Sequence, residues 1–374
     1  MSEDVYYHIE DDIEKYPEAL WYFIIGGRAT GKTYSTLKYL VDTGQTFCFI
    51  KRTIEDVKKQ CLPYPREDGK ADNRQSVSPF EPLNRDLNWN IRCYKASDSD
   101  IGYFYKCDEL NYPVECVGCI IALSAVASVK GFNVMINGDI PNAIVFDEFI
   151  PQSWVRGTAK NGEQTLDLYM TLTRDAVIRE MGDVKVYCLA NATEANNPLM
   201  SEMRIVDTVE QMHKKKQEYY YNDGRYIMVH LLKDNPKFLE TMIKSKFAQS
   251  IAGTNYYRMA ILNEFAMNDF SLVDSDYKIN GCKPRFQIRF KEETWTYLEG
   301  ASNKPDYITK RKVTVPKDME IYDLNTEPAQ GAFRTYILPA VYLQIISERV
   351  RFESYEIYST LMEYMSKFPK SKIT

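Results

Sequence analysis

Gly26-Gly27-Arg28-Ala29-Thr30-Gly31-Lys32-Thr33 supplies every fixed position of a P-loop, which is a glycine, four free positions and then Gly-Lys-Ser/Thr. The apolar run from Leu20 to Ile25 in front of it predicts a buried strand, and residues 34–41 behind it predict a helix. In that setting the backbone N–H groups of the turn and the positive end of the helix dipole converge on a phosphate. The stretch therefore predicts a nucleoside triphosphate site, where Lys32 reaches the β- and γ-phosphates and Thr33 holds Mg²⁺.

A second half of the same site is predicted at residues 143–148. The apolar run Ala143-Ile144-Val145-Phe146 predicts a strand, and it ends in two acids, Asp147 and Glu148. Asp147 is placed to complete the Mg²⁺ shell, and Glu148 is placed to polarise the attacking water as general base. Two acids after an apolar strand are common by themselves. Together with a P-loop, they predict hydrolysis of ATP rather than binding alone.

Asn191 and three arginines are further candidates for the nucleotide site. Asn191 follows the apolar run 184–190, where it can either sense the γ-phosphate or simply turn the chain at the end of a strand. Arg28 lies inside the P-loop, where its charge can meet phosphate or an acid across the site. Arg174 and Arg179 lie on the predicted helix before Asn191. In a ring assembly such a side chain can reach into a neighbouring subunit's site, whereas outside a ring it is a solvated charge.

The charge balance limits how this chain can bind nucleic acid. Its formal net charge of −5 excludes a surface that is basic overall, so contacts with DNA phosphates must come from local patches. Each candidate patch alone is more simply explained as a solvated face, and together the patches permit phosphate contacts. The candidates are Lys51, Arg52, Lys58, Lys59, Lys214, Lys215, Lys216, Lys310, Arg311 and Lys312.

The cysteines, the N-terminus and the lengths of the apolar runs bear on where in the cell the protein is expected. Cys116 and Cys119 form the one CxxC pair among 8 cysteines, and the 3 histidines are far from it in sequence, so we expect free thiols rather than a zinc site. The acidic, polar N-terminus does not resemble a signal peptide, and no apolar run is long enough for a membrane span. We therefore expect a reduced, soluble protein of the cytoplasm.

Three regions follow one another along the chain. Residues 1–200 alternate strand-like and helix-like runs, which predicts an α/β domain with a mostly parallel sheet, a P-loop NTPase fold of the ASCE, RecA-like kind. Residues 201–266 are charged and have a helical pattern, and we predict a helical linker there. Residues 267–374 change to short alternating runs such as 286–290 and 313–315 and end in a helical run, which predicts a smaller α+β domain.

Together these segments resemble the genome-packaging ATPases of small podoviruses, the phi-29-like encapsidation motors. The likeness rests on Phe23 to Thr33 with its internal Arg28, on Phe47 to Arg52, on Ile144 to Ile150, and on Cys188 to Ala192 followed by Asn197-Pro198. Further segments are similar to the family's linker region, namely Phe247, Gly253 to Tyr256 and Asn263 to Phe265. The likeness is close in the ATPase half and patchy, but collinear, through the last third.

The resemblance implies a function and its partners. It implies a homomeric ring, a pentamer, at the portal vertex of an empty viral head. Such a ring uses ATP and Mg²⁺ to push double-stranded DNA inward in the host cytoplasm, and a packaging RNA is a further possible partner. In the family a trans-acting arginine lies on the helix before the strand that ends in the asparagine, and Arg179 matches that position better than Arg174 does.

The resemblance also bears on the last third of the chain. Larger terminase relatives carry an RNase H-like nuclease domain with clustered metal-binding carboxylates, whereas the phi-29-like group keeps a shortened, degenerate version. Asp318, Glu320 and Asp323 are close in sequence here but form no convincing acidic triad. We therefore expect a nuclease-like fold without nuclease activity, serving DNA or portal contact. Two alternatives remain: a terminase large subunit with an active nuclease, and a non-catalytic, nucleotide-gated virion assembly protein.

Overall fold

Two compact units make up the protein in the computed structural model. The first contains Met1–Arg204 and Gln211–Met267, and the second contains Ile205–Glu210 and Asn268–Thr374. The structure describes residues 6–65, 77–96, 100–125, 134–150, 161–178, 182–191, 197–233, 236–254, 257, 272–301 and 304–366. Within those residues no helix is both long and apolar enough to cross a membrane.

Strands and helices alternate along the first unit. Its strands are β1 (Trp21–Gly26), β2 (Phe47–Lys51), β3 (Ile91–Lys95), β4 (Gly102–Cys107), β5 (Pro113–Ala122), β6 (Ala143–Asp147), β7 (Lys185–Asn191), β8 (Tyr219–Asn222) and β9 (Ile227–Leu231). The helices up to residue 250 are α1 (Ile9–Lys15), α2 (Lys32–Asp42), α3 (Ile54–Gln60), α4 (Glu81–Leu87), α5 (Asn161–Ile178), α6 (Pro198–Glu202), α7 (Val206–Lys215), α8 (Pro236–Ile243) and α9 (Lys246–Ser250).

The strands of the first unit form one sheet in the order β3-β4-β5-β2-β6-β7-β1-β9-β8. From β5 to β9 the neighbouring strands run parallel, whereas β3, β4 and β8 pair antiparallel with their neighbours at the two edges. All six residues of β1 are buried, as expected of a parallel strand whose two faces are both covered. The prediction of an α/β unit with a mostly parallel sheet is confirmed, and the sheet brings the carboxyl ends of β1, β2, β6 and β7 to one edge.

Two segments of the first unit differ from the sequence-based expectation. Residues 219–231, inside the predicted helical linker, form β8 and β9, and β9 pairs with β1 from Trp21↔Ile227 to Ile25↔Leu231. The apolar run Ile227–Leu231 is short enough for a strand, and its pairing with β1 buries Ile227 to His230 more completely than an exposed linker helix would. The antiparallel arm made of β3 and β4 was also not predicted. Both errors concern pairing partners that are distant in sequence.

The N-terminal helix α1 is anchored to the sheet by a buried carboxylate. Asp12 has no exposed surface, and its Oδ2 accepts a hydrogen bond from the Tyr7 hydroxyl at 2.7 Å and lies 2.9 Å from Nδ1 of His230. Burial and the neighbouring Asp12 carboxylate raise the pKa of Tyr7 well above its usual value, so its hydroxyl stays protonated and donates. The backbone N–H of Tyr7 donates to the carbonyl of Thr30 at 2.9 Å. The same segment thus holds one end of the 26–33 loop.

Replacing Asp12 by alanine should destabilise the first unit. The Asp12→Ala change leaves the Tyr7 hydroxyl and the His230 ring without their buried partner, at a cost of about 3 kcal/mol in the free energy of unfolding. For a unit of this size that lowers the melting temperature by roughly 5–10 °C in a thermal unfolding measurement. Asp11→Ala, at the exposed neighbouring position, is the control and should change stability by less than about 0.5 kcal/mol. Equal melting temperatures for the two variants would contradict an anchoring role of Asp12.

A smaller sheet forms the core of the second unit. Its strands are β10 (Lys283–Phe290), β11 (Glu293–Glu299), β12 (Asp306–Thr309), β13 (Ile321–Asp323) and β14 (Val350–Phe352), in the order β13-β10-β11-β12-β14. Its later helices are α10 (Glu327–Ala332), continued by a π-helical turn over Phe333–Ile337, then α11 (Leu338–Ile346) and α12 (Tyr355–Ser366). The predicted alternating run at 313–315 is not a strand, because the pairing partners of β11 and β10 are residues 306–309 and 321–323 on either side of it.

Candidate active site

The loop between β1 and α2 leaves the carboxyl edge of the large sheet in a conformation that needs its glycines. Gly31 has φ +89° directly before α2, a backbone region that side chains with a Cβ rarely adopt. A Cβ on Gly26 would lie 2.6 Å from Cβ of Leu232, whose backbone N–H donates to the Ile25 carbonyl at 2.8 Å. These two positions explain locally why the loop is built with glycine at its beginning and end.

Lys32, the first residue of α2, is folded back over this loop. Its Nζ donates to the carbonyls of Gly27 at 2.6 Å and Gly26 at 3.2 Å, and lies 3.1 Å from Oγ1 of Thr30. The residue is only 7% exposed, and burial lowers the pKa of its amine to about 8, with the nearby Asp147 carboxylate opposing that shift. A buried ammonium whose hydrogen bonds go to uncharged oxygens is available to bind an anion.

Asp147, the last residue of β6, gathers two partners from other elements. The Thr33 hydroxyl donates to its Oδ1 at 2.9 Å, and Nζ of Lys51 lies 2.8 Å from its Oδ2. Lys51 ends β2, and the register Ile50↔Phe146 brings Lys51 and Asp147 side by side at the strand ends. Thr33 and Asp147, the two residues predicted to hold Mg²⁺, are therefore adjacent. Lys51, which the sequence analysis assigned to a DNA-facing surface, lies beside them.

Glu148 and Asn191 complete the lining. Glu148 is exposed and has φ +55°, an uncommon conformation for a residue other than glycine, at the point where β6 ends. Asn191 is the last residue of β7, and its Oδ1 lies 3.5 Å from Nζ of Lys32. A cavity of about 240 Å³ is bounded by Ala29 to Tyr34, Asp147, Glu148 and Leu189 to Asn191. Of the two roles open for Asn191, this contact with Lys32 favours sensing of a bound phosphate over simply turning the chain at the end of a strand.

Among the three arginine candidates, the structure describes the side chain of Arg28 alone. Arg28 is half-buried on the first part of the loop and does not line the cavity, and neither do Gly26 and Gly27. Arg174 lies on α5, where only its backbone is described, and Arg179 lies outside the described residues. The assignment of Arg179 therefore remains a prediction from the family resemblance.

The basic residues predicted to face DNA divide into two groups. Lys51 pairs with Asp147, Nζ of Lys310 lies 2.7 Å from Asp207 Oδ2, and Nε of Arg311 lies 3.1 Å from Glu353 Oε1. These three charges already have partners of opposite charge within the protein. Arg52, which directly follows the last residue of β2, is half-buried. The remaining candidates are exposed: Lys58, Lys59, Lys214, Lys215, Lys216 and Lys312.

A larger cavity of about 620 Å³ lies at the opposite edge of the sheet. It is lined by the segments that precede β2, β6 and β7, including Asp139, Asp183 and Lys185. Lys185 donates to the Pro17 carbonyl at 2.6 Å and is thereby engaged. The size of a cavity alone does not identify a functional site. Lys32 and the hydrogen-bonded pair of Thr33 and Asp147 all line the smaller cavity, which is therefore the candidate active site.

Three comparisons relate this chain to known proteins. The family model described as podovirus DNA encapsidation protein (Gp16) matches residues 109–335. A DNA packaging protein of Bacillus phage B103 is 25% identical over 280 residues, which cover 72% of this chain and 71% of that protein. Among solved structures, the bacteriophage Phi-29 viral genome packaging motor assembly gives a TM-score of 0.62 at 17% identity and covers 99% of this chain and 100% of that one. The Phi-28 gp11 DNA packaging motor gives 0.58 at 16% identity, with 98% and 99% covered. At such identities the two structures show a shared fold.

Proposed function

This chain belongs to the podovirus DNA encapsidation protein (Gp16) family, and we propose that it is the ATP-hydrolysing subunit of a motor that drives double-stranded viral DNA into a preformed procapsid. The observation that carries the enzymatic part is the contact of the Thr33 hydroxyl with Asp147 beside Glu148, on the same sheet edge as Lys32. A P-loop NTPase needs these groups together, and they come from segments more than a hundred residues apart in the chain.

The residues fit Mg²⁺ and ATP as bound groups. A hydroxyl and a carboxylate are oxygen ligands of the kind that Mg²⁺ prefers, and Thr33 and Asp147 supply one of each. Bound there, Mg²⁺ would neutralise charge on the phosphates. The backbone N–H groups of residues 26–33 and the amine of Lys32 would hold the β- and γ-phosphates, and Lys32 would exchange its loop carbonyls for phosphate oxygens.

Hydrolysis then requires an acceptor for the proton of the attacking water. Glu148 is positioned at the cavity wall to take a proton from water as that water attacks the γ-phosphorus. The bond from the γ-phosphorus to the bridging oxygen breaks, and its electron pair leaves with ADP. Asn191, in contact with Lys32, is placed to register whether the γ-phosphate is present. A change in that contact when Lys32 turns to a bound phosphate would be passed to the rest of the chain along β7.

Lys32 gives this site a pH dependence. Its pKa of about 8 in the free site means that the amine is charged at pH 7 and becomes neutral as the pH rises through 8. Phosphate favours the charged form, so the equilibrium affinity for ATP should be full near pH 7 and about tenfold weaker at pH 9. Lys32→Arg keeps its charge over that range, and its own affinity, whatever its absolute value, should be flat from pH 7 to pH 9. The same slope in both proteins would contradict this role of Lys32.

We propose a homomeric ring, a pentamer, in which each active site is shared. Arg179 of one subunit would meet the γ-phosphate held by its neighbour, as the resemblance implies. Rings mixed from Arg179→Ala and Glu148→Gln subunits test this, because one kind of mixed interface has both groups intact and each pure ring has none. At equal mixing roughly a quarter of the interfaces are intact, so ATPase activity should return to about that fraction of the native rate. Confirmed mixed rings without activity would contradict a shared site.

The second unit is proposed as a nuclease-like domain that contacts DNA or the portal without cutting. Asp318 and Glu320 are exposed, and the carboxylate of Asp323 faces Arg289 at 3.6 Å. Among the described residues no group of three or more His, Cys, Asp or Glu side chains is arranged to hold a metal ion. DNA contact is proposed for the exposed lysines Lys214, Lys215, Lys216 and Lys312, whereas Lys58 pairs with Glu55 at 3.3 Å and Lys59 borders a separate cavity. The portal and a packaging RNA are proposed as further partners, at the procapsid vertex in the host cytoplasm.

The decisive experiment measures ATP turnover with and without double-stranded DNA and procapsids. A packaging motor hydrolyses ATP, is stimulated by both partners, and protects procapsid-enclosed DNA from added nuclease. Binding of ATP without turnover would favour the nucleotide-gated assembly protein instead. Cleavage of plasmid DNA with Mn²⁺, abolished by Asp318→Asn or Asp323→Asn, would favour a terminase large subunit with a working nuclease.

A further inference from the structure

A second cavity adjoins the nucleotide cavity and shares a wall with it. It measures about 200 Å³, and Asp147 and Glu148 border both spaces. The remaining wall is formed by Lys51, Arg52, Asp56, Lys59, Gln60 and Val77, from the end of β2, from α3 and from the segment before α4. A group released at Glu148 therefore has a polar space directly beside it, on the side away from the 26–33 loop.

Two buried polar atoms on this wall lack partners. Nη1 of Arg52 and Oε1 of Gln60 are almost completely buried, and neither forms a hydrogen bond with the residues that the structure describes. Gln60 as a whole is only 7% exposed. Buried polar atoms are nearly always paired, because leaving one unpaired costs free energy. Arg52 needs an acceptor and Gln60 needs a donor, so a single ligand that satisfies both must carry both functions.

The charges around the cavity favour an anion. Lys51 is matched by Asp147, and the Asp56 carboxylate accepts a hydrogen bond from the Thr53 hydroxyl at 2.7 Å. Within the described part of the chain, Arg52 and Lys59 form no ion pair. The remaining acid on the wall is Glu148, the proposed proton acceptor. Once it has taken the proton of the attacking water it is neutral, and the two cations Arg52 and Lys59 then outnumber Asp56, whose hydrogen bond from a neutral hydroxyl leaves its negative charge in place.

We propose that this cavity is a subsite for orthophosphate, which receives the product of ATP hydrolysis before it leaves the protein. Hydrogen phosphate offers acceptor oxygens to Arg52 and Lys59 and an O–H donor to Gln60. A DNA phosphodiester has acceptor oxygens but no O–H group, so it would leave Oε1 of Gln60 unpaired. No bond is made or broken in the subsite. The assignment rests on the proposed ATPase function for the origin of the phosphate, though not for its binding.

Direct binding of inorganic phosphate tests the subsite on the full chain. Titration calorimetry should show binding that is about tenfold or more weaker in Arg52→Gln, and several-fold weaker in Lys59→Gln, since each loses a hydrogen bond between charged groups. Lys58→Gln is the matched control, because Lys58 neighbours Lys59 on α3, is exposed and does not line the cavity. Its affinity for phosphate should equal that of the native chain. Lys59 is exposed as well, so its variant decides the question should Arg52→Gln fail to fold.

Two competing sites are separated in the same titration. Phosphate held only by the 26–33 loop would be lost in Lys32→Ala and kept in Arg52→Gln, and that pattern overturns the proposal. A short DNA duplex that displaces phosphate from the native chain but not from Arg52→Gln would identify the cavity as a DNA-backbone site, which also overturns it. Binding kept in Lys32→Ala, indifferent to the duplex and weakened in Arg52→Gln is the expected result.

The kinetic consequence separates this inference from the proposed function. Rapid-quench and phosphate-sensor traces of a single turnover should show release lagging behind hydrolysis in the native chain, with the lag shortened in Arg52→Gln and unchanged in Lys58→Gln. Phosphate binding that depends on Arg52 in a chain without ATP turnover would contradict the proposed function alone. Turnover with phosphate binding that is insensitive to Arg52 and Lys59 would contradict the subsite alone.

Discussion

Glu148→Gln is expected to bind ATP as the native chain does and to hydrolyse it about 10²- to 10⁴-fold more slowly, the range by which a positioned general base accelerates proton transfer. Glutamine has the shape of glutamate and can keep the φ of +55° that this position adopts, but it cannot accept the proton of the attacking water. Glu148 forms none of the hydrogen bonds or ion pairs found among the described residues, so its replacement leaves no buried group unmatched. Nucleotide binding by fluorescence and single-turnover hydrolysis by rapid quench measure the two effects separately.

A second acid serves as the control for that change. Glu109 is exposed in the turn between β4 and β5 and lines neither cavity of the site. Glu109→Gln should leave both the affinity for ATP and the hydrolysis rate within about twofold of native, as surface changes usually do. A Glu148→Gln protein that hydrolyses ATP at the rate of Glu109→Gln would rule out Glu148 as the general base while leaving the ATPase assignment in place.

The parts of the site that sequence predicts correctly are the local ones. Residues 26–33 determine their own turn, because the glycines allow the backbone to reach φ +89° at Gly31 and to pass Leu232 closely at Gly26. Four of the strands are apolar runs, which predict buried strands whichever neighbours they pair with: 21–26, 47–51, 143–147 and 185–191. The fixed spacing of the motif therefore carries most of the information on the proposed nucleotide site.

The parts that sequence misses depend on strand order. Lys51 follows an apolar strand as a surface lysine would, and only the placement of β2 beside β6 brings it to Asp147. The burial of Arg52 and Gln60 could not be predicted from the sequence either. An arginine and a glutamine in or beside a short helix are usually exposed to solvent. Residues 219–231 are a case in which the sequence pattern predicted the wrong kind of element. The charged pattern around them predicted a helix, whereas the pairing of Ile227–Leu231 with β1 makes this region strands. The pairing of strands that are distant in sequence leaves no periodic pattern in the chain, so it cannot be predicted from hydrophobic spacing.

Lys51 also bears on the proposed role of Asp147 as a metal ligand. Its ammonium occupies one oxygen of Asp147 while the Thr33 hydroxyl occupies the other, so the carboxylate is oriented by protein groups before any nucleotide arrives. Such second contacts fix the rotamer of a ligating carboxylate and tune its affinity for the metal. The same ammonium lies on the wall of the second cavity, which places one charge in contact with both the metal ligand and the proposed phosphate subsite.

Asp147→Asn should therefore remove Mg²⁺-dependent hydrolysis while sparing metal-free binding. The amide keeps the size of the carboxylate and an oxygen for Thr33, but it loses the charge that both Lys51 and a divalent cation require. We expect hydrolysis at millimolar Mg²⁺ to fall by at least about 100-fold, because charge stabilisation around a metal ion is worth several kcal/mol in the transition state. Binding of ATP in the presence of a chelator should stay within about threefold of native. Asp139→Asn, exposed at the opposite edge of the sheet, is the control. Equal Mg²⁺ dependence in the two variants would show that Asp147 orients Lys51 and Thr33 without serving as a ligand.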